Sequence, residues 1–95
     1  MSVRIIIDRK VKKGKEADFA KLLRTLRANS TFSKGYISGE MLRVRDDPQN
    51  FIVISAWQSV ADWEKYENVP ETRKIHARME KLMTRPTKVK ICVHA

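Results

Sequence analysis

WQSVADWEKYENVPETRKIH, residues 57–76, holds both tryptophans of the chain, one of its two tyrosines and one of its two histidines. Trp57 closes FIVISAW (51–57), a β-branched and aromatic run that reads as a strand. Ser59 then caps a short helix, with Asp62 three residues on in the capping-box spacing. On that helix Val60, Trp63 and Tyr66 or Glu67 share a face. Asn68-Val69-Pro70 breaks the chain, and Pro70 suits the first position of a further helix. That helix is expected to run to about Met83, with Thr72, Ile75, His76, Met79, Leu82 and Met83 as its apolar stripe, and Pro86 ends it. His76 therefore faces inward. The segment can line a pocket for a flat aromatic molecule, or it can be plain core.

Outward from this segment the periods alternate. Val3–Asp8 is a strand and Lys12-Lys13-Gly14 a turn. From about Lys15 the spacing turns helical through Phe19, Leu22, Leu23 and Leu26, until Asn29, Ser30 and Thr31 dissolve it. Gly35 precedes a strand over Tyr36–Val44, and the composition of 46–50 predicts a turn. The last strand is Lys88–Val93, with Val89, Ile91 and Val93 alternating inward and Cys92 opposite, toward a dimer interface. The order βαββααβ is that of an α+β, ferredoxin-like fold with an antiparallel sheet and helices on one face. FIVISAW is apolar on both faces and so belongs at the centre of the sheet, covered on both sides. Helices supply one cover. A second copy, sheet against sheet, supplies the other and predicts a homodimer.

The 95 residues make one expected domain, 1–95. A chain of this size buries roughly 60% of its unfolded surface, which makes dimerisation a natural support. Twenty basic against eleven acidic residues give a net charge of +9. The basic residues are spread over turns, helix faces and the last strand, as on a solvated surface. Nucleic-acid binding is not expected, because no strand carries the exposed aromatic residues that stack bases. No stretch approaches the roughly 20 apolar residues of a membrane span. The N-terminal apolar run is short and broken by Asp8, so a cytoplasmic location is expected, and the lone Cys92 fits a reducing compartment. No metal-ligand spacing, Ser-His-Asp order, glycine-rich phosphate loop or telling carboxylate pair is present. Asp8, Glu40 and Arg43 or Arg45 lie on strands, placed for cross-strand ion pairs or dimer contacts.

Trp57, Ser59, Trp63 and His76, with KKGKEADFAKLL near the N-terminus and KGYISGEMLR in the second strand, resemble the antibiotic biosynthesis monooxygenase family across about Val3 to Val93. The resemblance implies a dimeric α+β barrel. It implies either cofactor-free oxygenation of polyketide quinols and related phenols, or heme degradation. Heme-degrading members ligate iron through a helix histidine, matched here by His76. Their tryptophan ten residues earlier is Tyr66 here, and their strand asparagine is Ile7.

The expected site follows. His76 and Tyr66 are the candidate catalytic residues; Trp57, Trp63 and Met79 are the candidate substrate-binding residues. The expected partner is a small aromatic molecule, with no cofactor and no metal. The alternatives are heme with His76 as axial ligand, and a non-catalytic dimeric protein of the same fold.

Overall fold

The computed structural model describes residues 2–95. Its elements run β1 (Val3–Lys10), α1 (Glu16–Thr31), β2 (Tyr36–Val44), β3 (Asp47–Trp57), α2 (Val60–Glu67), α3 (Pro70–Glu80) and β4 (Lys88–Val93). The sheet order is β2-β3-β1-β4, antiparallel at every pairing. This is the expected ferredoxin-like α+β fold. The doubly apolar β3 lies inside the sheet beside β1, as its composition requires.

Alternation on β1 builds the core. Val3, Ile5, Ile7, Arg9 and Val11 are buried in turn, opposite Trp57, Ser55, Val53 and Phe51 along the β3 register. The helices supply Phe19, Leu23, Leu26, Tyr66, Ile75 and Met79 to the same cluster. Each large apolar side chain so buried contributes roughly 1.5–3 kcal/mol. Ser59 caps α2 as predicted, its hydroxyl accepting from the Asp62 N–H at 3.1 Å. Pro70 occupies the first turn of α3. Among the described residues no helix is long and apolar enough to cross a membrane.

Some boundaries differ from expectation. β1 continues two residues past Asp8, to Lys10. The predicted turn at 46–50 contracts to Arg45-Asp46, because β3 already begins at Asp47. Pro48 is tolerated there: it falls between the irregularity at Val44 and the start of β1 pairing at Asn50, so its missing N–H breaks no ladder. α3 stops at Glu80 instead of Met83. The next residues pair with the extended end of β1, through Lys12 N–H to Leu82 C=O and Thr84 N–H to Lys10 C=O. Met83 is therefore buried by bridging to Val11, not by a helical stripe.

The other sheet face carries Ile6, Ile52 and Ile54 at its centre, with Leu42 and Cys92 beside them. Arg4, Asp8, Glu40, Lys88 and Lys90 share this face around them, and among the described residues no helix lies over it. On β4 the register puts Val89, Ile91 and Val93 on the helix side, yet all three are exposed, Val93 at 73%, because the helices stop short of that edge. Asp8 pairs with Arg85 at 2.9 Å and accepts from Asn50, so its ionic partner lies beyond α3 and not across the sheet. Arg43 stacks on the ring of its cross-strand neighbour Phe51 at 4.6 Å.

Candidate functional site

Between the sheet and the helices lies a cleft of about 500 Å³ counting its open mouth. Its cavity volume proper is only about 50 Å³, a narrow slot well below the roughly 300–1,000 Å³ of sites that enclose a drug-sized ligand, so a ring enters only as the walls part. Trp57, Trp63, Tyr66 and Tyr36 wall it. Trp57 is 1% exposed, with Tyr36 edge-on at 5.4 Å and Tyr66 tilted at 5.2 Å. Its indole N–H donates to Ser55 Oγ at 3.1 Å, so it offers a ligand apolar surface and no free donor. Tyr66 donates its hydroxyl to the Leu26 carbonyl at 3.1 Å. Burial, with Glu67 nearby, pushes that phenol well above its ordinary range and keeps it neutral. Gly39 lines the slot where a Cβ would stand 2.7 Å from the Tyr36 hydroxyl, so glycine leaves room for the tyrosine.

The polar end of the slot is built by Arg9 from β1, Glu67 from α2 and His76 from α3. His76 Nε2 is buried, has no hydrogen-bond partner among the described residues and lies 3.5 Å from Glu67 Oε2. Burial, helped by Arg9 and Arg73, lowers the imidazole pKa to about 4. His76 is thus neutral at pH 7, and its contact with Glu67 is not an ion pair. Burial raises the Glu67 carboxyl, against an opposing pull from Arg9. Arg9 is only 4% exposed, and desolvation lowers its pKa. The same three residues, with Ile7, also line a second cavity that continues toward Met79, Met83 and Val89.

Of the residues expected from sequence, Trp57, Trp63, Tyr66 and His76 meet at one slot. Met79, 1% exposed, lies in the adjoining cavity and shares His76 with it. The Tyr66 hydroxyl is occupied by the backbone of α1 and so is not a free polar handle. Arg9, Tyr36 and Ser55 were not expected at the site, and Glu67 was placed only as the alternative to Tyr66 on the face of α2. For Arg9 the signal was present: Val3, Ile5, Ile7, Arg9, Val11 is an inward alternation with one charge in it. Ending the strand at Asp8 hid it.

The residues do not fit heme as they stand. A heme held by a proximal histidine brings its iron onto the ring nitrogen, with the broad macrocycle around it. Here the Nε2 that would ligate is buried against Glu67, with Ile7 and Arg9 sharing the same wall. Among the described residues no group of three or more potential metal ligands lies together.

The sequence model of the antibiotic biosynthesis monooxygenase family matches residues 2–78. Several solved structures share the fold. SnoaB from Streptomyces nogalater, a cofactor-independent oxygenase, is 17% identical with a TM-score of 0.89, covering 99% of this chain and 93% of that one. Rv0793 from Mycobacterium tuberculosis is 16% identical with a TM-score of 0.91, covering 100% of this chain and 96% of that one. A conserved protein from Methanosarcina mazei Go1 is 15% identical with a TM-score of 0.90, covering 96% of this chain and 90% of that one. Identities this low carry the fold and not the reaction. No curated protein matches the chain in sequence.

Proposed function

Because the chain belongs to the antibiotic biosynthesis monooxygenase family, we propose that it is a small cofactor-independent monooxygenase acting on a phenolic or quinol ring of polyketide type. The observation that carries this reading is the neutral, unpartnered His76 imidazole at the polar end of an aromatic-walled slot. A ring slides between Trp63 and the Tyr36–Trp57–Tyr66 wall, with Met79 beyond. Its hydroxyl enters beside Glu67 and reaches His76.

His76 takes the hydroxyl proton as general base. The transfer is uphill: a simple phenol near pKa 10 facing an imidazole at about 4 costs roughly 8 kcal/mol. Both ions therefore need partners. Glu67, 3.5 Å from Nε2, offsets the imidazolium. The electron-rich anion then gives an electron to oxygen, the two radicals combine at a ring carbon that carries hydrogen, para to the oxygen, and the peroxide formed takes the proton back from His76. Loss of water leaves a quinone. One oxygen atom becomes the new carbonyl and the other leaves as water, so the substrate supplies all four electrons. Trp57, Trp63 and Tyr66 exclude water and hold the ring; Tyr66 remains protonated throughout.

The protein acts as a cytoplasmic homodimer. The supporting observation is the apolar sheet face at Ile6, Ile52 and Ile54, which no helix of its own chain covers.

The test is oxygen uptake with a panel of naphthols and anaerobically prepared quinols, corrected for autoxidation. Wild type is expected to consume oxygen with at least one ring class, and His76→Ala to lose about 10²–10⁴-fold in rate, the usual worth of a positioned base. Equal rates in the two proteins remove His76 from the chemistry.

A further inference from the structure

Arg9 is the one charged residue on the buried face of β1. A guanidinium cannot shed its proton in a protein, and it presents five N–H donors. Taking it out of water costs several kcal/mol unless charge and hydrogen bonds replace the solvent. Its surroundings supply charge only through Glu67, and no hydrogen bond. Its strand neighbours on that face, Ile7 and Val11, are apolar, and across the register stands Phe51. Among the described residues no carboxylate lies within 4.0 Å of it and no acceptor takes a hydrogen bond from its side chain. Glu67 is the nearest source of opposite charge, but its carboxylate is turned to His76. The Tyr66 hydroxyl is turned to Leu26. Arg9 lines both the aromatic slot, which Glu40 also lines, and the adjoining cavity, which Glu80 also lines; among the described residues neither carboxylate comes within 4.0 Å of a cation, so the guanidinium is left facing the void.

We propose that Arg9 is the anion-binding residue of this slot, and that its substrate is an acidic aromatic whose ionised oxygen, phenolate or carboxylate, sits against the guanidinium. This rests on the slot's taking an aromatic ring, and it adds the ring's charge. The cost of burying Arg9 is met when the anion binds, so that part of the binding energy is reserved for ionised ligands. Where the bound anion is a carboxylate, the ring hydroxyl still brings its proton to His76, and Glu67 and Arg9 are fixed charges set opposite to the imidazolium and phenolate that form; a ligand bound as phenolate needs no base. The +9 net charge attracts such anions from a distance.

Quenching of tryptophan fluorescence, which needs no turnover, tests this with three probes at pH 7: 1-hydroxy-2-naphthoate, its neutral methyl ester, and 2,4-dinitro-1-naphthol, which is a phenolate at that pH. In wild type at least one anion is expected to bind ten-fold or more tightly than the ester, and Arg9→Met to erase the preference. Whichever anion is preferred identifies the ionised oxygen. The wild-type comparison stands even if Arg9→Met fails to fold, and a melting curve reports whether it does. Equal binding of the ester and both anions, or a preference that survives in folded Arg9→Met, overturns the role of Arg9 while leaving the aromatic slot intact. Binding of none of the three overturns both. An anion preference without oxygen uptake leaves Arg9 in place and sinks the oxygenase reading.

Discussion

His76 reaches its position through a proline that starts α3 and a stripe that turns one face of it inward. Its neutrality follows from the burial that this entails. Because its folded pKa is depressed to about 4, the unfolded chain takes up the proton first. Stability is then lost as pH falls from about 6.5 toward 4, and the loss levels off below that. Glu67 works the other way, since its raised pKa lets the folded state take its proton first. His76→Gln removes only the first contribution, worth at most about 3 kcal/mol. Its melting temperature should fall less than that of wild type between pH 7 and pH 4.5; equal falls would contradict a buried neutral imidazole. Trp57 sits at the opposite extreme, with no titration and full burial. Trp57→Ala should cost about 3–5 kcal/mol in urea unfolding, and a loss below about 1 kcal/mol would contradict its place in the core. Both residues were legible in the sequence, one by helical period and one as the end of an apolar strand. Arg9 was not, because a charge in an apolar alternation reads as the end of a strand until the partner strand is known to continue.

At the scale of elements, the loop before β2 is held by a contact that no periodicity shows. Gly35 has φ +86°, and a Cβ there would stand 2.3 Å from Asp62 Oδ2 at the start of α2. Gly35→Ala should therefore destabilise by more than the roughly 1 kcal/mol at stake where alanine is compatible. The melting temperature checks this, and a neutral result would mean that the α2 start can move. Ser59→Ala should cost about 1 kcal/mol through loss of the cap. β2 and β4 kept their predicted limits because Gly35 and Pro86 bound them. α3 did not, because its last predicted turn is exchanged for backbone pairing with β1. That is a tertiary competition, and the local pattern of Leu82 and Met83 satisfies both outcomes.

For the whole molecule, the element order and the doubly apolar β3 were enough to give the ferredoxin-like fold. The site was legible only as an aromatic cluster with a histidine, since its charged end joins Arg9 of β1 to Glu67 and His76 of α2 and α3, far from it in sequence. The uncovered sheet face predicts that Ile54→Asp turns a dimer into a monomer, checked by light scattering at micromolar concentration. A wild-type monomer would contradict the sheet-to-sheet packing. The buried His76 Nε2 predicts that added heme gives no Soret shift dependent on His76; a shift abolished by His76→Ala would contradict the fit argued above. The most direct measurement is a crystal structure with 2,4-dinitro-1-naphthol bound. It should show the ring in the slot beside Trp63, with its oxygen within about 3.2 Å of His76 or Arg9. A ring bound elsewhere, over a slot closed by its own side chains, would contradict the account.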